Sequence, residues 1–125
     1  MIDHISIAVR DLKAAERFYE NALAAIGYTK LHVRPTTIGF GKKYADFWLN
    51  ERRNMTPVAP DSGVHICLRA RDTAVVQAFH AAALKNGGAD DGTPGPRSGE
   101  MKGYYAAFIR DPEGNRIEAA TFTAD

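Results

Sequence analysis

The sequence predicts an α+β fold of two paired βαβββ modules, with the strands curled into a half-open β-sheet cup and the helices outside. One observation is an internal repeat. Asp3-His-Ile-Ser-Ile-Ala-Val-Arg-Asp11 reappears as Val64-His-Ile-Cys-Leu-Arg-Ala-Arg-Asp72. At the same offset Phe18 meets Phe79, Ala22 meets Ala83, Leu23 meets Leu84 and Gly27 meets Gly88. The other is a change of period inside each copy, from two to about 3.6, which marks a strand followed by an amphipathic helix. A single copy is too small to bury its helix stripe, so the two must pack together.

In the first copy Ile5, Ile7 and Val9 point one way and His4, Ser6 and Ala8 the other. Asp11 is placed to cap a helix whose apolar stripe is Leu12, Ala15, Phe18, Tyr19, Ala22 and Ile26, ended by Gly27. Three short strands follow, at Thr29–Val33, Thr36–Phe40 and Asp46–Leu49, divided by Pro35 and Gly41-Lys-Lys43. Residues 51–62 have no periodicity and hold Pro57 and Pro60, so they read as a linker between a module at 1–50 and one at 63–125 within a single domain, 1–125. The second copy restarts with Ile66, Leu68 and Ala70 on the apolar face of a strand, and Asp72 caps its helix. Gly87–Gly103 is so rich in Gly and Pro that it reads as a long mobile loop around one short strand. Tyr104–Arg110 and Asn115–Thr123 form a closing hairpin around Asp111-Pro-Glu-Gly114, a type I turn sequence.

Composition narrows the function classes. Of 125 residues 45% are hydrophobic and 25% charged, as in soluble globular proteins. A net charge of +1 gives no field to steer the chain to nucleic acid or to an anionic membrane. No segment has the length and apolarity of a membrane span, and the start shows no secretory pattern. One cysteine excludes an internal disulfide and fits a reducing, cytoplasmic setting.

The strand faces turned away from the helices carry His4, Ser6, His65, Cys67 and, by alternation, Glu118. Two imidazoles at equivalent places plus one carboxylate form a set that suits Zn, Fe(II), Ni or Mn and leaves coordination positions open for substrate. A carboxylate in an apolar cup needs a compensating cation, which a metal supplies. His32 and His80 have no such partners and read as ordinary surface or helix residues. Cys67 corresponds to Ser6 and reads as a small lining residue. Trp48, with Phe40 and Tyr105 of the 104–105 pair, is expected to form an apolar substrate wall, and Arg97 to meet an anionic group.

Three stretches carry a family resemblance: Asp3–Asp11 with Phe18-Tyr19, Val64–Asp72, and Tyr105-Ala-Ala-Phe-Ile-Arg-Asp-Pro-Glu-Gly-Asn-Arg-Ile-Glu118. In these the chain resembles the vicinal oxygen chelate superfamily of glyoxalase I, extradiol dioxygenases and the fosfomycin- and bleomycin-resistance proteins. The resemblance implies metal ligands at His4, His65 and Glu118, and a divalent ion that binds two adjacent substrate oxygens and stabilises a developing oxyanion. Glyoxalase I adds a second glutamate, and Trp48 stands at that position here. This departure points away from glyoxalase I and towards a dioxygenase or fosfomycin-type site, although extradiol dioxygenases commonly carry an additional pair of modules. The expected function is a metal-dependent enzyme of lyase, isomerase or dioxygenase type on a small oxygenated substrate. The rival is a metal-free, drug-sequestering protein of the bleomycin-resistance kind. The resemblance also implies a homodimer.

Overall fold

The computed structural model describes residues 1–99 and 101–123. Residue 100, within the expected Gly87–Gly103 loop, and the last two residues of the 63–125 module lie outside the described residues. The order is β1 (Ile5–Val9), α1 (Leu12–Ala24), β2 (Thr29–Val33), β3 (Thr37–Gly41), β4 (Ala45–Glu51), β5 (His65–Arg69), α2 (Thr73–Lys85), β6 (Ala89–Pro96), β7 (Tyr104–Arg110) and β8 (Arg116–Phe122). Two four-stranded mixed sheets result, β1-β4-β3-β2 and β5-β8-β7-β6. The first strand of each module runs parallel to its last, and the other pairings are antiparallel. The sheets do not close, and β1 and β5 remain edge strands.

Both helices start where the repeat places them. Asp11 Oδ1 accepts from the Ala14 amide at 3.0 Å, and Asp72 Oδ1 from the Val75 amide at 2.9 Å. These bonds satisfy amides that the first helical turn leaves without partners. The backbone turns out of the helices through Gly27 and Gly87, at φ 90° and 100°, a region that only glycine enters cheaply.

Each helix covers one face of its own sheet, and α1 also touches α2. Val9, Phe18, Tyr19, Phe40, Phe47 and Leu49 of the first module share one core with Val76, Phe79, Ile109 and Ile117 of the second. Each of the larger side chains contributes about 2 kcal/mol by leaving water. A polar lock joins the halves at the β7–β8 turn. Asp111, 4% exposed, accepts from the Tyr19 hydroxyl (2.6 Å), the amides of Glu113 (2.9 Å) and Asn115 (2.8 Å), and the Asn115 side chain (3.0 Å). Glu113 then accepts from the amides of Arg10 (2.6 Å) and Asp11 (3.1 Å) and from Arg10 Nε (2.9 Å).

Burial alone would raise the Glu113 carboxyl, but its bonds to Arg10 and Asp11 hold it below the usual glutamate value. A carboxyl lowered in the folded state stabilises the protein above its unfolded pKa, and that contribution is lost as pH falls through the folded value. Burial pushes Asp111 the opposite way. Wild type will therefore melt above a Glu113→Gln variant at about pH 6, and the gap will close towards about pH 3, in a calorimetric pH series. A gap independent of pH would show that the charge of Glu113 does not lock the halves.

The one short strand expected within Gly87–Gly103 is a longer one, Ala89–Pro96, which takes up about half of the segment. β6 is an eight-residue edge strand that pairs with β7 through two register irregularities. These take Asp91, Thr93 and Pro94 out of the ladder, which is how a Gly- and Pro-rich segment can still be a strand.

Candidate functional site

Alternation and register build the open face of the second sheet. β5 places Cys67 beside Glu118 of β8, and β7 places Phe108 opposite Glu118 and Tyr104 opposite Phe122. Ile66, Leu68, Ile109, Ile117 and Ala119 turn to the helix side instead. The carboxylate of Glu118, 4% exposed, sits at the centre of this face. His65 Nε2 lies 3.0 Å from its Oε1. The Tyr104 hydroxyl donates to Oε2. The His65 ring stands 6.1 Å from that of Phe108, Tyr104 stacks on Phe122 at 5.0 Å, and Arg69 lies 4.8 Å over Phe122.

Burial and the bond to Glu118 push the Tyr104 phenol up to about 12, so it stays a proton donor through neutral pH. Burial and the nearby Glu118 charge also push the Cys67 thiol up to about 12, which keeps it from acting as a thiolate nucleophile. Cys67 is thus a lining residue, as its equivalence to Ser6 suggests.

His4 lies elsewhere. It is exposed at the end of β1, and its Nδ1 bonds the side chain of Asp3 at 2.7 Å. His4 and His65 do line one open cleft of ≈ 440 Å³, with Ile5, Ile66, Cys67 and Leu68 between them. Among the described residues, however, no three His, Cys, Asp or Glu side chains gather closely enough to hold a metal. The repeat brings the two histidines to one cleft without assembling a three-ligand group within the described residues of one chain.

The apolar wall is only partly where the sequence puts it. Trp48 is half-buried on the open face of the first sheet. His32 stacks on it at 5.6 Å and 13°, Arg34 lies 6.0 Å from its ring, and its Nε1 donates to Ala45 O at 3.1 Å. His32 is therefore part of this wall. Phe40 is not: it pairs with Phe47 in register and is fully buried under α1. Tyr105 also faces its helix, where Gln77 Nε2 donates to its hydroxyl at 2.9 Å. Tyr104 takes the place expected of it. Counting back from Glu118 across the 111–115 turn gives this parity, so the signal was in the sequence. Arg97 lies 5.4 Å over the Phe108 ring, its Nη2 donating to Thr93 O at 2.6 Å and its Nη1 to Gly95 O at 3.2 Å. His80, expected as an ordinary surface or helix residue, lies in α2, where it is buried and bonds Asp90 at 2.8 Å.

Duplicated βαβββ halves around an open sheet face define a glyoxalase-like protein. The family model described as Glyoxalase/Bleomycin resistance protein/Dioxygenase superfamily matches residues 1–119, and the chain belongs to that superfamily. A glyoxalase/bleomycin resistance protein from Albidiferax ferrireducens T118 shares 28% identity and a TM-score of 0.85, over 95% of this chain and 97% of that one. A glyoxalase/bleomycin resistance protein/dioxygenase family enzyme from Burkholderia phytofirmans PsJN shares the fold at 16% identity and TM-score 0.75, over 98% of each chain. So does a glyoxalase-related enzyme from Fulvimarina pelagi, at 17% and 0.75, over 97% and 87%. No curated protein matches. No described helix is long and apolar enough to cross a membrane.

Proposed function

We propose that the chain is a metal-dependent enzyme of this superfamily, acting on a small substrate that chelates a divalent cation through two adjacent oxygens. The observation that carries this is the His65–Glu118 pair. Two ligands on bonds of about 2.1 Å stand about 3.0 Å apart at the right angle of an octahedral site and about 3.4 Å apart at the tetrahedral angle that Zn prefers. His65 Nε2 and Glu118 Oε1 are separated by 3.0 Å. The donor set therefore fits Zn, Fe(II), Ni or Mn with little movement, and the hydroxyl of Tyr104 supplies the outer bond that orients a ligating carboxylate.

His4 completes the set, contributed by a second copy of the chain in a homodimer. Support comes from its exposure on an edge strand and from the absence of a three-ligand group among the described residues of one chain. When bound, the cation would act as a Lewis acid on the substrate oxygens. The chain's own residues do the rest. Tyr104 stays protonated and holds the Glu118 carboxylate, Phe108 lines the same face beside His65, and Arg97, over the Phe108 ring, offers its remaining N–H groups to an anionic substituent. The lone, protonated cysteine fits a cytoplasmic setting.

One observation favours the metal-free, ligand-sequestering alternative. Both oxygens of Glu118 already have protein partners. Elemental analysis of purified protein, after separate soaks with each cation and dialysis, separates the readings. Near-stoichiometric metal is expected in wild type, and at least a tenfold loss in His65→Ala with an unchanged circular-dichroism spectrum. No retained metal in wild type would sink the enzyme reading in favour of sequestration.

A further inference from the structure

The chain contains two equivalent junctions between a hairpin turn and the end of a first strand. At one, the β7–β8 turn delivers Glu113 to Arg10 and Asp11, just beyond β1. That carboxylate takes both backbone amides and Arg10 Nε. At the other, the β3–β4 turn meets the stretch just beyond β5. The repeat puts Arg71 and Asp72 there, in the places of Arg10 and Asp11. Asp11 and Asp72 cap their helices through the same bond, so the two frames are alike.

The turns differ in charge. Where one carries Glu113, the other carries Lys42 and Lys43. Lys42, Lys43, Arg69 and Arg71 line one cleft of ≈ 480 Å³ with Tyr28 and Tyr44. Among the described residues neither lysine has an ion pair, and the amides of Arg71 and Asp72 have no acceptor. The one carboxylate of the cleft, Asp46, accepts from the Tyr28 hydroxyl at 3.1 Å through Oδ2, while its Oδ1 is buried with no partner among the described residues. Four cations thus gather beside one lining carboxylate, with Arg71 paired to Asp72 at 3.2 Å, in a chain whose net charge is +1.

We propose that this cleft is an anion-binding site for a carboxylate- or phosphate-bearing small molecule, which occupies the place that Glu113 fills at the equivalent junction. The chain's own glutamate is the template. It shows that the end of β1 grips an oxyanion by two amides and a guanidinium; at the end of β5 the matching Arg71 Nε bonds Asp72 Oδ2 at 3.2 Å, an exposed pair that a bound anion would have to displace. Lys42 and Lys43 add the charge that a free anion needs. The cleft shares Tyr28, Asp46 and Leu68 with the one that holds His4 and His65, so the anionic arm of a molecule bound here would extend towards the histidines. The proposal does not depend on a metal.

The test is a titration of the ¹⁵N-labelled protein with inorganic phosphate and, separately, with malonate, at constant ionic strength. Saturable shifts at the Arg71 and Asp72 amides are expected with at least one anion, and the stronger binder identifies the preferred headgroup. Binding should weaken about tenfold in a Lys42→Ala/Lys43→Ala variant. Both lysines are exposed, so the fold should survive. Lys43→Glu should abolish the response by supplying an internal carboxylate. Shifts scattered over all basic residues without saturation, or titrations that these substitutions leave unchanged, would overturn the proposal.

Discussion

Asp111→Ala will cost about 3–5 kcal/mol, on the order of 10–20 °C in melting temperature. The reason is the number of groups it leaves without partners. The Tyr19 hydroxyl, in a residue with no exposed surface, loses its hydrogen bond to Asp111. The amides of Glu113 and Asn115 lose theirs as well, and the Asn115 side chain loses one bond while keeping that to Ala8 O at 3.3 Å. The turn that carries Glu113 then loosens, and with it the grip on Arg10 and Asp11. Tyr19→Phe removes one donor and leaves Asp111 its other three, so it should cost only about 1–2 kcal/mol. Urea unfolding of both variants checks the ordering. Equal costs would mean that Asp111 works through Tyr19 alone rather than as a hub.

Gly41→Ala is expected to be about as damaging, near 3 kcal/mol, for a reason of space. A Cβ at Gly41 would stand 1.9 Å from the carbonyl oxygen of Tyr44 and 2.8 Å from its carbon. Both atoms are backbone, so no rotamer can relieve the clash. Gly41 pairs with Ala45 across an irregular register that closes the three-residue turn Lys42–Tyr44. The substitution must open that turn and carry Lys42 and Lys43 out of position. Thermal melting gives the cost, and a change of less than about 2 °C would show a different turn geometry.

Much of the architecture is legible because its signals are local. Asp11 and Asp72 announce the helices by position. Thr29–Val33 and Tyr104–Arg110 are strands with the boundaries their patterns suggest. The strand expected in the Gly87–Gly103 segment is longer than its sequence suggests, because Gly92, Pro94, Gly95 and Pro96 look like loop residues, and only an edge position with bulges admits them to a sheet. Phe40 shares its parity with Ile38, and both are buried on the helix side, so the strand's own alternation already points Phe40 away from the open face. Glu118 and His65 stand together through parallel pairing of distant strands, which the repeat suggests. The position of His4 depends on how two edges face each other, and no local pattern encodes that. The cationic cleft escapes notice for the same reason: Lys42, Lys43, Arg69 and Arg71 are scattered along the chain and meet only in the fold.

The duplication copies the framework but not the chemistry. The place that Glu118 holds in the second sheet is held by Trp48 in the first, over Gly39, whose missing side chain makes room for the indole. Whatever Glu118 engages, each chain therefore engages it once. A saturation curve for a single chain has a stoichiometry of one and no cooperativity of its own, and any sigmoidal response would have to arise from association between chains.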